Sequence, residues 1–247
     1  MGKIAVTIDY EFDWGGRVQS AYAIDKMTDK VLDILSRNNA NSTFFISTET
    51  VDKTKKHIQD IYNAGHEIAS HGHNHNYEYD SLSKDALEYE ISTSKQILED
   101  LISDNIYGFR TPQFRKNQYT EELLLKHNYT YDSSSVNTNF LDRYKRNQYQ
   151  NGKLKNFSVS SLFDRIPAGV KWMNLVGNHI KESEDIQVIY VHLFDLLSIK
   201  DIVSLYDKQH ISKVVLMFYM ARTKSVLKTL ETSCVNSVSL KEQIYAS

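Results

Sequence analysis

Four of the nine histidines of this chain lie in one ten-residue stretch, His66-Glu67-Ile68-Ala69-Ser70-His71-Gly72-His73-Asn74-His75. Neutral imidazole is the commonest protein ligand for zinc-like ions. His71 and His75 are four residues apart, so they share a face if the segment turns helically. The residues 66–70 before them predict a strand, and β/α folds place metal sites at the carboxyl ends of strands. The alternative is a solvated histidine-rich loop. A metal site would require a third ligand besides His71 and His75, ideally a carboxylate.

Carboxylates follow the first predicted strand. The apolar and β-branched run from Lys3 to Ile8 predicts a short buried strand. Asp9, Glu11 and Asp13 come next at alternate positions. Like charges this close are costly unless a cation or a partner neutralises them. Any one of these acids could instead point into water, but Asp9 directly follows the apolar run and is expected at the mouth of a sheet or barrel.

Two further strands are expected to end in residues of catalytic type. Arg110 follows a predicted strand at Ile106–Phe109, and Pro112 stiffens the turn after it. Such a turn suits holding a guanidinium against a carboxylate and presenting a backbone N–H to a ligand. His192 follows the buried strand predicted at Ile186–Val191. Taken alone, Arg110 could as well be a surface arginine at a strand end, and His192 could be an ordinary core histidine. Together with the histidines and carboxylates described above, His192 is better interpreted as a general acid.

These segments, in this order, resemble the polysaccharide deacetylase (NodB-homology, carbohydrate esterase family 4) superfamily, whose members remove N-acetyl groups from glycans. The resemblance extends from Lys3 to about Asp195. The segments that carry it are Thr7-Ile8-Asp9, Ser42-Thr43-Phe44-Phe45-Ile46, Ala64-Gly65-His66-Glu67-Ile68-Ala69-Ser70-His71 with His75, Phe109-Arg110-Thr111-Pro112, Tyr129-Thr130-Tyr131-Asp132-Ser133-Ser134 and Val191-His192.

The resemblance implies an α/β fold, a distorted (β/α) barrel of about seven strands of the kind shared by glycoside hydrolases and deacetylases. The alternation of strand and helix patterns along the chain independently favours βα units and a mainly parallel sheet. We expect a single domain over residues 1–247, with the core motifs in residues 3–195 and a C-terminal helical closure over residues 196–247.

The resemblance also implies catalytic roles. Asp9 matches the family's catalytic base, Arg110 the arginine that orients this base, and His192 the general acid. Asp132 falls where the family often has an acid near that histidine, so it is a candidate for tuning the acid. The implied reaction is metal-assisted hydrolysis of an amide, in which the base takes a proton from water and the acid protonates the departing amine.

The implied metal ligands include one departure from the family pattern. His71 and His75 match the two metal-binding histidines. The metal-binding aspartate that usually follows the base directly is replaced here by Tyr10. Members that space the pair by one residue imply Glu11 as the third ligand, with Asp13 in reserve. The expected cofactor is a divalent metal ion, with zinc favoured.

Three residues are predicted to contact substrate. Gln113 stands where the family has an aromatic residue after its arginine-x-proline, and its backbone N–H is a candidate oxyanion donor. Asp13 lies just past the predicted catalytic strand. Trp172 suits stacking on a sugar ring, although core packing is its simpler interpretation.

The function predicted first is removal of an N-acetyl group from a sugar or glycan by a metal-dependent hydrolase. Tyr10 and Gln113 motivate an alternative, a metal-free amidohydrolase of the same fold that acts on a small amide or cyclic ureide. The alternative from another class is a catalytically silent glycan-binding module. The presence of both Asp9 and His192 argues against it, because a binder needs no paired base and acid.

Composition bounds the remaining possibilities. The chain has 41% apolar and 24% charged residues with a net charge of −2, as expected for a soluble domain that does not bind nucleic acid. Its longest apolar run, Val214 to Ala221, is too short to cross a bilayer. The first predicted strand begins at about residue 3, so no signal peptide is expected in this sequence, and the single Cys234 fits a reducing compartment. A cytoplasmic location is therefore predicted, and the alternative left open is a leader that has been removed. A homo-oligomer is left open.

Periodicity and end signals predict the other elements. Asn137 to Gly152 is polar and predicts a loop near the site. The elements expected are a strand at Ser42–Ile46, helices at Ile24–Leu35, Thr48–Asn63, Ser81 or Ser83 to Leu101 and Tyr119–His127, a strand at Tyr129–Ser133, further strands within Phe157–Gly177, and a largely helical tail after Asp207.

Overall fold

A curled parallel sheet organises the protein. The structure, a computed structural model, describes residues 3–75, 78–138, 154–163, 165–176, 178, 180, 186–206, 217 and 226–244. Its strands are β1 Lys3–Tyr10, β2 Thr43–Ile46, β3 Glu67–Ser70, β4 Gly108–Phe109, β5 Tyr131–Asp132, β6 Lys155–Asn156, β7 Ser161–Leu162, β8 Ile166–Pro167 and β9 Ile186–His192. The main sheet has the order β6-β5-β4-β3-β2-β1-β9 with parallel neighbours, and β7 and β8 form a separate antiparallel pair. The predicted distorted barrel of about seven strands is confirmed.

Helices pack around the sheet. They are α1 Tyr22–Arg37, α2 Val51–Asn63, α3 Lys84–Ile102, α4 Thr120–Lys126, α5 Val170–Val176, α6 Ile199–Tyr206, α7 Val226–Ser233 and α8 Leu240–Ile244. In α1 the buried residues Ile24, Met27 and Val31 recur at helical spacing, which makes one face apolar. The N-cap of α3 is Ser83, whose Oγ accepts a hydrogen bond from Ala86 N at 3.2 Å, so this serine rather than Ser81 begins the helix.

Strand alternation divides the apolar residues between two layers. Val6 and Ile8 of β1 belong to the large layer between sheet and helices. Ala5 of the same strand belongs to a smaller cluster in the barrel interior, together with Phe45 and Tyr131. Because side chains alternate between the two faces of a strand, Thr7 and Asp9 also face the interior. The interior is therefore where polar side chains and a small apolar core meet.

The register of the parallel strands brings their carboxyl ends to one edge. Asp9 on β1 pairs with His192 on β9 and with Phe45 on β2. Ser70, the last residue of β3, pairs with Phe109, the last residue of β4. The residues that follow these strands therefore surround the same opening, which is the mouth of the barrel.

The second half of the chain differs in part from the predicted elements. The stretch from Phe157 to Gly177 contains the β7–β8 hairpin and also α5, a helix that the pattern did not predict. The predicted loop at 137–152 is described only at residues 137 and 138, and Val214–Ala221 only at residue 217. Half of the tail after Asp207 is described, and that half contains the helices α7 and α8. In the described ranges, no helix is both long and apolar enough to span a membrane.

Candidate active site

The end of β1 sends alternate side chains in opposite directions. Tyr10 packs into the layer under the helices, with its ring 6.5 Å from that of Phe44, and burial raises the pKa of its hydroxyl. Asp9 and Glu11, on either side of Tyr10, face the barrel interior and are both buried. Alternate residues of an extended segment face the same side, so the Asp-Tyr-Glu spacing directs both carboxylates to one site.

Glu11 lies beside two imidazoles at the mouth of the barrel. Its Oε2 is 2.6 Å from His75 Nε2 and 3.4 Å from His71 Nε2. All three side chains are only 2% exposed, and one ligand atom from each lies within 4.8 Å of the others. One carboxylate with two imidazoles is a donor set used by catalytic zinc sites. The structure thus brings together the three residues predicted as metal ligands.

Electrostatics within this cluster keep Glu11 ionised and draw positive charge toward its carboxylate. Burial disfavours the ionised form of Glu11, but His75 and His71 outweigh burial and hold the pKa of Glu11 well below its usual range. Burial alone would lower the pKa of His75, whereas the Glu11 carboxylate raises it above the ordinary value. Buried Glu11 Oε2 accepts no hydrogen bond of good geometry, although both Nε2 atoms lie close to it. The cluster therefore fits a divalent ion, which would satisfy all three donors.

The orientation of His71 is fixed from the other side of its ring. His71 Nδ1 lies 2.8 Å from the carbonyl oxygen of Arg110, an acceptor, so Nδ1 carries the hydrogen. The lone pair of the neutral ring is then on Nε2, the atom that faces Glu11. A backbone carbonyl that sets the tautomer of a ligating histidine is a common feature of metal sites.

The two histidines are carried by a loop rather than by a helix. Residues 71–75 have no helical assignment, and Gly72 adopts a φ of +82°. Gly16, from the loop after β1, has a φ of +72° and packs directly on His75; a Cβ at Gly16 would lie 2.9 Å from His75 Cβ. The sequence placed His71 and His75 on one face only if the segment formed a helical turn. The segment is not helical, and loop contacts bring the two histidines together instead.

Arg110 fixes the position of Asp9. Its Nη1 donates to Asp9 Oδ1 at 2.7 Å and to Thr7 Oγ1 at 2.9 Å, and its Nη2 donates to Ser133 Oγ at 2.8 Å. The guanidinium is fully buried, and its Cζ lies 4.0 Å from the centre of the Phe45 ring. A planar guanidinium with several fixed donors allows one orientation of the bound carboxylate.

His192 completes the group at the mouth. Its Nε2 lies 3.7 Å from Asp9 Oδ2 and 3.7 Å from Glu11 Oε1. On the other side, His192 Nδ1 is 2.9 Å from Asp195 Oδ2, and the ring stacks on Phe194 at 4.8 Å. Burial lowers the pKa of His192, but the hydrogen bond to Asp195 and its charge raise the pKa above the ordinary value. The His192 side chain is 17% exposed, more than Asp9 or Glu11, so it can reach a molecule bound at the mouth.

The carboxylate beside His192 is not the one that the sequence predicted. Asp132 accepts hydrogen bonds from Lys116 Nζ at 2.7 Å and from Ser134 N at 2.9 Å, and Asp195 occupies the predicted position next to His192. Asp195 also lies 3.2 Å from Lys171 Nζ, and this cation holds the pKa of Asp195 below its usual range against the effect of burial. The sequence did contain a signal for Asp195, which is an acid three residues after His192. Such an acid reaches the histidine when the residues between them form a 3-10 turn, as Leu193–Leu196 do.

The three predicted substrate contacts lie in different environments. Gln113 is exposed, with a φ of 54° in the 3-10 turn at Pro112–Phe114, just after Arg110. Asp13 is buried, and its Oδ1 accepts a hydrogen bond from Ala23 N at 3.0 Å, in the first turn of α1. Trp172 is half-buried and packs against the large apolar layer. Asp13 is thus outside the Glu11 cluster and has a helix-capping contact.

The sequence is similar to known proteins. The family model for polysaccharide deacetylases matches residues 3–131, just over half of the chain. The chain belongs to the polysaccharide deacetylase family. One relative of this deacetylase family member is a peptidoglycan deacetylase of Helicobacter pylori, 26% identical over 117 residues. That match covers 47% of this chain and 40% of the relative, so the chain spans about two fifths of the relative's length.

Solved structures share the fold of this family member. A putative polysaccharide deacetylase from Mycobacterium smegmatis has a TM-score of 0.57 at 19% identity, covering 99% of this chain and 90% of that one. A carbohydrate esterase family 4 pseudoenzyme from Bacillus anthracis has a TM-score of 0.55 at 10% identity, covering 97% of this chain and 64% of that one. At these identities the likeness shows the fold, and the fold is shared by a protein described as a pseudoenzyme.

Proposed function

We propose that this protein is a metal-dependent N-deacetylase that acts on an N-acetylated sugar or glycan. The observation that carries the proposal is the convergence of two sets of groups at the barrel mouth. One is the buried cluster of Glu11, His71 and His75. The other is Asp9, which is held by Arg110 and lies 3.7 Å from His192. A metal-binding cluster beside a carboxylate base and an imidazole acid is the set of groups that amide hydrolysis requires.

The residues that would hold the ion are Glu11, His71 and His75. This donor set favours zinc, and a divalent ion held there would supply Lewis acidity to an acyl oxygen and to a water molecule. His71 presents Nε2 because its Nδ1 hydrogen is donated to the Arg110 carbonyl. Glu11 stays ionised because the imidazoles outweigh its burial and lower its pKa.

Asp9 serves as the base. Its Oδ1 accepts from Arg110, which leaves Oδ2 facing the mouth toward His192. Because Arg110 is buried and bonded to Thr7 and Ser133 as well, it fixes the Asp9 carboxylate while a proton passes from water to Oδ2. The backbone N–H of Gln113, in the turn after Arg110, remains the predicted donor to the developing oxyanion.

His192 serves as the acid. Asp195 accepts the hydrogen of Nδ1, so Nε2 is the atom that carries the transferable proton toward the mouth. The pKa of His192 is raised by Asp195, which keeps the ring protonated closer to neutral pH. Protonation by Nε2 lets the amine leave, since an unprotonated amine is a very poor leaving group.

Acetate release by Asp9→Asn tests the proposal. The substitution keeps the side-chain shape but removes the proton acceptor, so turnover of an N-acetylhexosamine oligomer should fall by about 10²- to 10⁴-fold. Zinc binding should remain, because Asp9 lies outside the Glu11 cluster. Undiminished acetate release by Asp9→Asn would overturn the assignment of the base. The similarity to a peptidoglycan deacetylase makes peptidoglycan fragments the first substrates to test.

The silent glycan-binding module is the second candidate, and the shared fold with a family pseudoenzyme is the observation that favours testing it. A glycan-binding module would bind glycan, as measured by calorimetry, but would release no acetate either with zinc bound or after zinc is removed. A metal-free amidohydrolase would instead keep full turnover after treatment with a chelator. The proposed deacetylase should lose turnover on chelation and regain it when zinc is added back.

A further inference from the structure

Residues 71–75, which we call the ligand loop, carry both histidines of the proposed metal site. On a helix, ligands at positions i and i+4 are held in register by the helix's own hydrogen bonds. Residues 71–75 are not helical, so these bonds are missing. Contacts from outside the segment must therefore hold His71 and His75 at the spacing seen in the cluster.

Glu90 provides such contacts from α3. Its side chain is buried, with 6% of the residue exposed. Glu90 Oε2 accepts hydrogen bonds from His73 N at 2.9 Å and from Asn74 N at 2.8 Å, and Oε1 accepts from Asn74 Nδ2 at 3.2 Å. Two consecutive backbone N–H groups of the ligand loop are thus bound by one carboxylate, and such charge-assisted bonds are stronger than neutral ones.

The buried carboxylate of Glu90 is stabilised by neutral hydrogen-bond donors. In the described part of the chain, its carboxylate forms no ion pair with a lysine or arginine. The remaining partner is neutral, the Tyr79 hydroxyl, which donates to Oε2 at 3.0 Å. A buried carboxylate without a cation is costly unless its hydrogen bonds are satisfied. Here those bonds fix the backbone between the two ligands.

The same loop is held from the opposite side. Thr48 N donates to Gly72 O at 3.1 Å, and Glu49 N donates to His73 O at 2.8 Å. Gly72 packs closely on Tyr79, since a Cβ at Gly72 would lie 2.0 Å from the Tyr79 hydroxyl oxygen. The carbonyls of Gly72 and His73 thus accept from the segment after β2, and the N–H groups of His73 and Asn74 donate to Glu90, so the middle of the loop is bound from both sides. His75 N, at the end of the loop, donates to Glu49 Oε1 at 3.2 Å.

We propose that Glu90 is a positioning residue for the metal site: its carboxylate holds the backbone between His71 and His75 and so sets the spacing of the two imidazoles. The inference rests on the proposed metal site of Glu11, His71 and His75. Glu90 itself does not touch the ion or the substrate, and it acts through the His73 and Asn74 amides.

The test compares Glu90→Ala and Glu90→Gln with Glu88→Ala. Glu88 is on the same helix and is bonded to His127 of the α4 region instead of the ligand loop, which makes it a matched control. Zinc titration of metal-free protein by calorimetry gives the Kd. Hydrogen exchange of the His73 and Asn74 amides, followed in the same metal-free protein, reports the loop without reference to activity.

Glu90→Ala should weaken zinc binding by about 10- to 100-fold, as expected for a group that orients ligands from outside the coordination sphere. The His73 and Asn74 amides should exchange faster. Glu90→Gln should lie between, because its amide oxygen still accepts from the two backbone N–H groups. Glu88→Ala should match the unsubstituted protein in both measurements.

An unchanged zinc Kd in Glu90→Ala would overturn the inference while leaving the proposed function intact. Should Glu90→Ala fail to fold, Glu90→Gln decides: a weaker Kd with faster loop exchange supports the inference, and an unchanged Kd overturns it. Absence of zinc binding by the unsubstituted protein would overturn both the inference and the metal-dependent function.

Discussion

Two buried glutamates in the barrel interior differ in how they are stabilised. Glu67 lies at the start of β3, at the end of the barrel opposite the mouth. We call this the closed end because α8 contacts it. Its Oε1 accepts from Tyr131 OH at 2.8 Å, and its Oε2 accepts from Thr43 Oγ1 at 2.6 Å and from Lys241 N at 2.8 Å. These donors are neutral groups, so burial dominates and raises the pKa of Glu67.

Glu11 is equally buried at the open end, and its pKa moves in the opposite direction. Burial again opposes ionisation, but His75 and His71 outweigh it and lower the pKa of Glu11. The comparison shows that burial alone does not decide whether an interior carboxylate is charged. At the closed end the carboxylate binds the N-terminus of α8 to the sheet, whereas at the mouth the neighbours maintain a charge, which is typical of functional sites.

The largest stability effect is expected from the charged end. Arg110→Leu leaves Asp9 buried without its cation, so the free energy of unfolding should fall by about 3–5 kcal/mol. Urea unfolding measures this change. Arg37→Leu is the matched control, because the Arg37 side chain is 56% exposed in its ion pairs with Asp33 and Glu231. It should lose no more than about 1 kcal/mol. Equal losses of stability in the two variants would contradict the expected difference between the buried Arg110–Asp9 pair and the exposed ion pairs of Arg37.

A second prediction concerns the acid at the mouth. His192 must be protonated to donate, so activity should fall as the pH rises through its pKa. Asp195 raises that pKa, and Asp195→Asn should therefore move the alkaline limb of the pH–rate profile to lower pH. Asp132→Asn is the control: Asp132 bonds Lys116 and Ser134 rather than His192, so the limb should stay in place. A limb that moves with Asp132 instead would restore the role predicted from the sequence.

The smallest effect is expected at the closed end. Because the folded-state pKa of Glu67 is raised, the stability that its protonated form contributes is fully present below the unfolded-state pKa and is lost as pH rises through the folded pKa. Glu67→Gln is neutral throughout and should remove this dependence. Its stability should differ from that of the unsubstituted protein by about 1 kcal/mol, the size of one hydrogen bond. Urea unfolding from mildly acidic to mildly alkaline pH checks this, and parallel profiles of the two proteins would show that Glu67 does not titrate in this way.

Regular elements are what the sequence predicted best. The apolar run at Lys3–Ile8 indicated β1, and the carboxylates at alternate positions after it were predicted to share one small space. The structure brings Asp9 and Glu11 together in this way. The parallel arrangement followed from alternating strand and helix patterns, and it brings Asp9 next to His192. These features depend on local periodicity, which a single sequence records directly.

Contacts made by loops could not be predicted in the same way. The sequence placed His71 and His75 on one face only on the condition of a helical turn, whereas in the structure Glu90, seventeen residues beyond His73, bonds the backbone of that segment. The partner of His192 depends on a 3-10 turn at Leu193–Leu196 and on Lys171, which approaches from another helix. Such contacts are set by tertiary packing, and no periodicity in the sequence reports them.

The metal content of three purified proteins tests the central claim most directly. The unsubstituted protein loaded with zinc and then dialysed should retain about one zinc ion per chain, as a site of three protein ligands would. Glu11→Gln should lose the metal, because the substitution removes the only carboxylate in the Glu11, His71 and His75 cluster. Glu67→Gln, the same substitution at the closed end, should retain it. Equal zinc retention by Glu11→Gln and Glu67→Gln would contradict the assignment of the metal site.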